Sequence, residues 1–268
     1  LDGALRKLDD DDRRLAHEMA AGVLRRRQAL DARLAALVTR DWAKVPPRLQ
    51  DLLRLGAYQL VALDRVPAHA AVDTMVSLAR EEGGPRAGGF VNAVLRRLGA
   101  EPEPMATSGR GAADEADAAA LARRHSHPLW LVERWLARFG PDETRRLLEW
   151  NDRRPRLVLQ PAGESAAALA ARWKAAGIQA EPAAYGAGLV TDRRRPEELP
   201  GYTEGAFLVQ DPAQALLAWY ADLPSGARVY DAAASPGGKT IALGREAALV
   251  VAGDVSRRRV RRLAQNLR

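Results

Sequence analysis

Apolar residues in the first hundred positions recur at the spacing of an α-helix. One stripe lies between Arg48 and Leu63, and its members would share one face of a helix: Leu49, Leu52, Leu53, Gly56, Leu60 and Leu63. Pro46 and Pro47 stand where that helix would begin. Three further stripes have similar spacing: Leu15, Met19 and Val23; Val72, Met75, Val76 and Ala79; and Val91, Val94, Leu95 and Leu98. No strand-like alternation interrupts them, so we predict an all-α helical bundle over residues 1–100.

The pattern changes after residue 100. Residues 101–118 are poor in large apolar side chains and rich in Pro, Gly, Ser and acidic residues, which is typical of a linker. Helices are predicted to resume over residues 129–139 and 142–150. Trp130 and Trp135 lie on the apolar stripe of the first of these helices, and we expect them to join the core rather than to form a base-stacking platform.

Strand-like segments appear only in the second half of the chain. Short strands are predicted at 156–161, 178–182, 188–192 and 206–210. With a helix over 165–176, they indicate a helical and α+β accessory module over residues 119–205. From Ala227 onward the pattern is strand, glycine-rich turn, helix, strand and helix, which is how a parallel α/β sheet begins. Residues 206–268 are therefore predicted to be the first, incomplete part of a Rossmann-like domain.

The glycine-rich turn is the strongest candidate for chemistry. Glycines between a strand and a helix let the backbone approach a ligand, and the first N–H groups of the helix are free to bind it. Asp254 ends the next strand, where a carboxylate can accept hydrogen bonds from ribose hydroxyls. Asp231, at the start of the turn, is interpreted as a residue that orients the loop. We predict a site for a nucleoside-bearing cofactor formed by Ala233, Ala234, Ser235, Pro236, Gly237, Gly238, Lys239 and Asp254.

Other glycine motifs fit this segment less well. A phosphate-binding P-loop needs G-x-x-x-x-G-K-[ST], and its first glycine would fall on Ala233, so that alternative fails on spacing. The dinucleotide fingerprint G-x-G-x-x-G is also absent. A purely structural Pro-Gly-Gly turn is the simplest alternative, and the flanking strand and helix, together with Asp254, argue against it.

Composition narrows the partners. The chain has 41 Lys and Arg against 34 Asp and Glu, a net charge of +7, which favours an anionic partner such as nucleic acid. A genomic bias toward Arg and Ala would explain the same balance. Most Arg clusters are expected to be solvated helix faces paired with nearby carboxylates. Arg96 and Arg97 are the exception, and we expect them to contact RNA phosphates.

The rarer residues exclude other classes of site. The chain has no cysteine and only four histidines, so we expect neither disulfides nor a metal centre. No apolar run approaches the ~18 residues of a membrane span, and the first residues do not form a signal peptide. We therefore expect a cytoplasmic protein that makes no contact with a membrane.

Several segments resemble one enzyme family. The stretch DAAASPGGKT, residues 231–240, is similar to the DACAAPGGKT cofactor motif of the RNA 5-methylcytosine methyltransferases. Residues 203–217 and 249–268 resemble the segments on either side of that motif, and SHPLWLVERWLARFG, at 126–140, resembles the family's accessory region. In the first hundred residues, 52–73 and 89–98 resemble the NusB-like RNA-binding domain of the Sun/Fmu (RsmB-type) subfamily, which modifies small-subunit ribosomal RNA.

This resemblance implies a function. The turn and Asp254 would bind S-adenosylmethionine, and the protein would methylate C5 of a cytidine in small-subunit (16S) ribosomal RNA. Ala233 and Ser235 stand where the family motif has Cys and Ala, which a turn that binds through its backbone should tolerate. The family's catalytic cysteines are missing, so we expect a chain truncated before them, with no catalytic residue of its own. We expect a monomer. The competing hypothesis is a non-catalytic NusB-like factor that binds RNA or protein, and cofactor binding would separate the two.

Overall fold

The computed structural model describes residues 4–100, 117–191 and 195–267, which form two compact units, Leu1–Arg154 and Pro155–Arg268. Most of the predicted linker, residues 101–116, lies outside the described residues. The predicted accessory module, 119–205, has residues in both units, and its boundaries stay a prediction.

The first unit is helical throughout its described part. Its six helices are α1 (Asp10–Arg25), α2 (Arg27–Leu37), α3 (Pro47–Ala62), α4 (Ala68–Ala100), α5 (Ala118–Arg124) and α6 (Leu129–Asn151). Three of the four apolar stripes seen in the sequence meet in one core, whose least exposed members include Leu30, Leu34, Leu53, Ala79, Val91 and Leu95. From the stripe on α1, Val23 packs against this core, whereas Leu15 is 39% exposed. The predicted helical bundle is therefore confirmed.

Proline and glycine set the limits of these helices. Helix α3 starts at Pro47, where the absence of an N–H costs nothing. Helix α4 is interrupted at Gly84, which has φ +74°, and Pro85 begins its second half. Helix α6 has a similar break at Gly140, with φ +76°, so the two helices predicted there form one kinked element.

One buried ion pair joins α2 to α3. The Arg54 side chain is only 6% exposed, and its Nε and Nη2 donate to the two carboxylate oxygens of Asp31 at 2.6 and 3.0 Å. Burial disfavours the charged guanidinium, but the hydrogen bonds to Asp31 and Asp51 outweigh it, and the pKa of Arg54 lies above its ordinary value. The pair fixes the two helices because a buried charge must keep its partner.

The second unit starts with a four-stranded antiparallel sheet in the order β2-β3-β1-β4. The strands are β1 (Val158–Pro161), β2 (Ala180–Pro182), β3 (Leu189–Thr191) and β4 (Phe207–Val209), and α7 (Ala166–Ala175) follows β1. Trp173 of α7 is fully buried, packs edge-on against Phe207 and donates its indole N–H to the carbonyl of Pro200 at 2.9 Å. All four predicted strands are thus present, shortened by one or two residues at their ends.

A parallel strand pair follows, as predicted. Its elements are α8 (Pro212–Ala221), β5 (Ala227–Asp231), α9 (Gly238–Leu243), β6 (Ala247–Ala252) and α10 (Arg257–Asn266). Val229 pairs with Val250 and Asp231 with Ala252, so the two strands end side by side. This strand–helix–strand unit confirms the predicted Rossmann-like beginning.

The prediction that Trp130 belongs to the core is wrong. Its side chain is 62% exposed, because it lies on the opposite face of α6 from the fully buried Val132. Trp135 is partly buried against the small core formed by Leu121, Ala122, Val132 and Leu148.

Candidate cofactor-binding site

The turn between β5 and α9 is held by a carboxylate. Asp231 is buried; its Oδ1 accepts a hydrogen bond from the N–H of Ala233 at 3.3 Å, and its Oδ2 accepts one from the hydroxyl of Thr240 at 2.7 Å. The start of the turn is thereby fastened to the first turn of α9. The interpretation of Asp231 as a loop-orienting residue is confirmed, and Thr240 is its partner.

Backbone hydrogen bonds join this turn to the end of β6. The N–H of Ala234 donates to the carbonyl of Gly253 at 2.9 Å, and the N–H of Gly253 donates to the carbonyl of Asp231 at 2.8 Å. Gly237 has φ +116°, in the region that favours glycine, and its N–H donates to the carbonyl of Ala234 at 2.7 Å. The predicted residues of the turn therefore lie beside the strand end that carries Asp254.

Asp254 has one oxygen without a donor. Its side chain is 2% exposed, and its Oδ1 accepts a hydrogen bond from the N–H of Ser256 at 3.2 Å. Oδ2 accepts no hydrogen bond from any described residue, although Nε of Arg259 lies 3.5 Å away. A buried carboxylate oxygen without a donor is costly, so this atom can accept a hydrogen bond from a ligand hydroxyl.

Gln210 lies under the turn, and the sequence argument missed it. Its side chain is buried, and a Cβ placed on Gly238 would come within 3.2 Å of its Nε2, so only glycine leaves this contact unstrained. That Nε2 has no hydrogen-bond acceptor among the described residues. In the sequence, Gln210 could have been noticed because it precedes Asp211, the residue that caps α8 by accepting a hydrogen bond from the N–H of Ala213 at 2.8 Å.

Helix α10 lies over one side of the turn. The side-chain amide of Asn266 donates to the carbonyl of Pro236 at 2.7 Å, and Leu263 lies 3.3 Å from where a Cβ on Gly237 would be. Ala233 stays exposed, and Lys239 forms no ion pair within the described ranges. The backbone N–H groups of Ser235, Gly238 and Lys239 have no acceptor within those ranges either, so they are available to an anionic ligand.

The other predicted sites differ in how they are placed. Arg96 and Arg97 are both exposed; Nε of Arg96 donates to Asn92 Oδ1 at 2.9 Å, and Nη1 of Arg97 donates to the carbonyl of Leu37 at 2.8 Å, at the end of α2.

In the described part of the chain, no three His, Asp or Glu side chains are grouped closely enough to hold a metal ion. No described helix is both long and apolar enough to span a membrane.

Two family profiles match separate parts of the chain. The profile of the NusB family matches residues 2–100, and the profile described as Methyltr_RsmF/B-like, ferredoxin-like domain, matches residues 127–196. The latter range includes α6 and strands β1 to β3.

Curated proteins similar to this chain match it over nearly all of its length. Ribosomal RNA small subunit methyltransferase B of Pseudomonas putida is 35% identical over 100% of the chain and 61% of its own length. The probable ribosomal RNA small subunit methyltransferase B of Synechocystis is 33% identical over 90% of the chain and 54% of its own length. The chain thus spans between about half and three fifths of the length of these relatives.

A solved structure has a similar fold. The crystal structure of PH0851 superposes on 99% of the chain, and on 60% of its own, with a TM-score of 0.68 and 18% sequence identity. At that identity the likeness concerns the fold alone. The chain therefore contains a NusB-family domain followed by an RsmF/B-like ferredoxin-like domain, and along its length it is similar to ribosomal RNA small subunit methyltransferases B.

Proposed function

We propose that this chain is part of an enzyme that uses S-adenosylmethionine to methylate C5 of a cytidine in small-subunit ribosomal RNA. The names of the relatives support ribosomal RNA methylation, and the NusB-family domain supports RNA as the partner. The observation that carries the cofactor assignment is the buried Oδ2 of Asp254: among the described residues it has no hydrogen-bond donor, and it lies beside a glycine turn whose N–H groups have no acceptor there either.

The residues present fit this cofactor. Asp254 would accept a hydrogen bond from a ribose hydroxyl, and the N–H groups of the turn from Ala233 to Lys239 would bind the carboxylate of the methionine part. When bound, S-adenosylmethionine supplies an electrophilic methyl group on a sulfonium. Asp231 and Thr240 keep the turn in shape, and the buried Gln210 supports Gly238 from below.

The target carbon sets a further requirement. Cytosine C5 is too electron-poor to attack a methyl sulfonium until a nucleophile has added to C6, and a positioned cysteine thiolate does this near neutral pH. The 268 residues contain no cysteine, so none of them can be this nucleophile.

We also propose a division of labour along the chain. Residues 1–100 would bind RNA, residues 101–118 would link them to an accessory module at 119–205, and residues 206–268 would begin the cofactor-binding domain. A monomer in the cytoplasm, where ribosomal RNA of bacteria is made, fits this scheme.

The cofactor assignment is tested by replacing Asp254. In the full-length protein, Asp254→Ala should weaken S-adenosylmethionine binding by ~1–3 kcal/mol in calorimetry, because a charged hydrogen bond is lost. Asp64→Ala is the matched control, since Asp64 is exposed and its side chain forms no hydrogen bond or ion pair with any described residue. Unchanged affinity in the Asp254 variant would remove this residue from the site.

The cytosine chemistry needs a separate test. RNA carrying 5-fluorocytidine at the target should trap the full-length enzyme covalently, because fluorine blocks the final elimination. Serine in place of the nucleophilic cysteine should abolish trapping. A full-length protein that still lacked cysteine would refute the proposed chemistry and favour the second candidate, a non-catalytic NusB-like factor that binds RNA or protein.

A further inference from the structure

Helix α6 has two Arg–aromatic pairs in the part of the helix that precedes its kink at Gly140. Arg134 precedes Trp135, and Arg138 precedes Phe139, four residues later. Positions four residues apart are neighbours on a helix surface, about 6 Å apart along the axis. The two arginines therefore form one row along the helix, and the two aromatic residues form the adjacent row.

These side chains border an open depression. Arg134, Trp135, Ala137, Arg138 and Phe139 line a shallow cavity of about 460 Å³. Phe139 is 50% exposed, and Trp130, one turn before Arg134, is 62% exposed.

The aromatic row is partly fixed. The indole of Trp135 packs at 5.5 Å from the ring of His127, tilted by 58°, and its inner edge joins the small core of this unit. The outer edge of Trp135 and the ring of Phe139 remain available to a planar ligand. A rigid, half-exposed aromatic surface loses little side-chain entropy on binding.

The two arginines have no acidic partner among the described residues. Neither Arg134 nor Arg138 forms an ion pair or a hydrogen bond with any residue in 4–100, 117–191 or 195–267. Beyond the kink of the same helix, Arg145 and Arg146 do pair, with Asp142 and Glu143 three residues before them. Unpaired guanidinium groups beside exposed rings match a partner that is both polyanionic and aromatic.

We propose that this face of α6, defined by Trp130, Arg134, Trp135, Arg138 and Phe139 and called the Arg–aromatic face below, binds single-stranded RNA. The arginines contact phosphates, and a base enters the depression, stacks on the ring of Phe139 and touches the outer edge of Trp135. Unpaired nucleotides fit because their bases can leave the strand, whereas a duplex keeps its bases stacked inside. This inference rests on the proposed function because it takes RNA as the substrate. It adds the surface of the chain that contacts the RNA.

The test separates the contribution of the arginines to RNA affinity from that of the aromatic rings. Two variants of the 268-residue chain are compared. The first is the double variant Arg134→Ala/Arg138→Ala. The second is Phe139→Leu, which keeps an apolar side chain but removes the π-face. The control double variant is Arg14→Ala with Arg146→Ala, which loses the same charge from two exposed arginines that are already paired with Asp11 and Glu143. Binding to a short unstructured RNA and to its duplex is measured by fluorescence anisotropy over a salt series, after circular dichroism has shown that each variant is folded.

The expected results are distinct. The Arg134 and Arg138 double variant should lower the slope of log K against log salt by about 1.4, or about 0.7 for each lost phosphate contact, and the control should leave the slope unchanged. Phe139→Leu should weaken single-strand binding roughly fivefold or more, since stacking contributes about 1–3 kcal/mol per base, and should not affect duplex binding.

Two outcomes would overturn the inference. If both variants bind single-stranded RNA as the unmodified chain does, the Arg–aromatic face is not an RNA surface, while RNA binding by the chain continues to support the proposed function. If Phe139→Leu weakens duplex binding as much as single-strand binding, the face does not recognise unpaired bases. The cofactor calorimetry on Asp254 is independent of both outcomes, so failure of this inference and failure of the proposed function can be told apart.

Discussion

Gly237 offers the sharpest test of the turn. Its φ of +116° lies where an L-residue is strained, and alanine there should cost about 1–3 kcal/mol of folding free energy. The new Cβ would also meet Leu263 at 3.3 Å and Leu267 at 3.6 Å, so α10 must yield by a few tenths of an ångström. Relief of the backbone strain, or of the contact with α10, would displace the N–H groups that flank Gly237. Each cofactor hydrogen bond lost should cost about 0.5–1.5 kcal/mol.

Thermal unfolding and calorimetry with S-adenosylmethionine separate these effects in the full-length protein. Gly226→Ala is the matched control, because Gly226 has φ +79° at the entry to β5 and no atom lies within 4 Å of where its Cβ would be. Both variants should lose stability, and only Gly237→Ala should lose cofactor affinity, by roughly tenfold if two hydrogen bonds weaken. Equal affinity in the two variants would refute the view that this turn holds the cofactor through its backbone.

Three further predictions concern the helical unit. Gly22→Ala should destabilise it by about 1–3 kcal/mol in thermal unfolding, because the new Cβ would overlap the ring of Tyr58. Gly99→Ala should not, because the space at Gly99 is open. Burial raises the pKa of Tyr58 above its ordinary value of 10.0, and the Glu18 carboxylate, 2.7 Å from the Tyr58 hydroxyl, raises it further. The free energy of unfolding should therefore fall as pH rises from about 10 through the raised pKa, and Tyr58→Phe should abolish this alkaline loss. Replacing Arg96 and Arg97 together should lower both RNA affinity and its salt slope in anisotropy, and an unchanged slope would leave Arg97 as only the residue that caps α2.

The sequence predicted those features that depend on local chemistry. Helix α3 was predicted because its apolar period and its two prolines agree. The glycine turn was likewise predicted from its own residues. In each case a short stretch of chain contains enough information to specify its own backbone.

Features that depend on packing were missed. Apolar spacing identified the stripe on α6 but not the face that the core would cover, so Trp130 was assigned to the interior and is exposed. Gln210 was overlooked because its role depends on contact with Gly238, 28 positions later in the chain, which no periodicity encodes. The position of α10 over the turn, fastened by Asn266, is likewise a tertiary contact.

The two halves of the proposed cofactor site are brought together by strand register rather than by any bond between their described side chains. Asp231 pairs with Ala252 across the parallel strands, so the residues that follow each of them must leave the sheet at the same edge. The hydrogen bond from Ala234 to the carbonyl of Gly253 then fixes the turn beside Asp254. A slip of this register would separate Asp254 from the turn even if every site residue were unchanged. Cofactor affinity should therefore respond to substitutions that disturb the pairing of β5 with β6, whereas RNA affinity, if it belongs to the helical unit, should not.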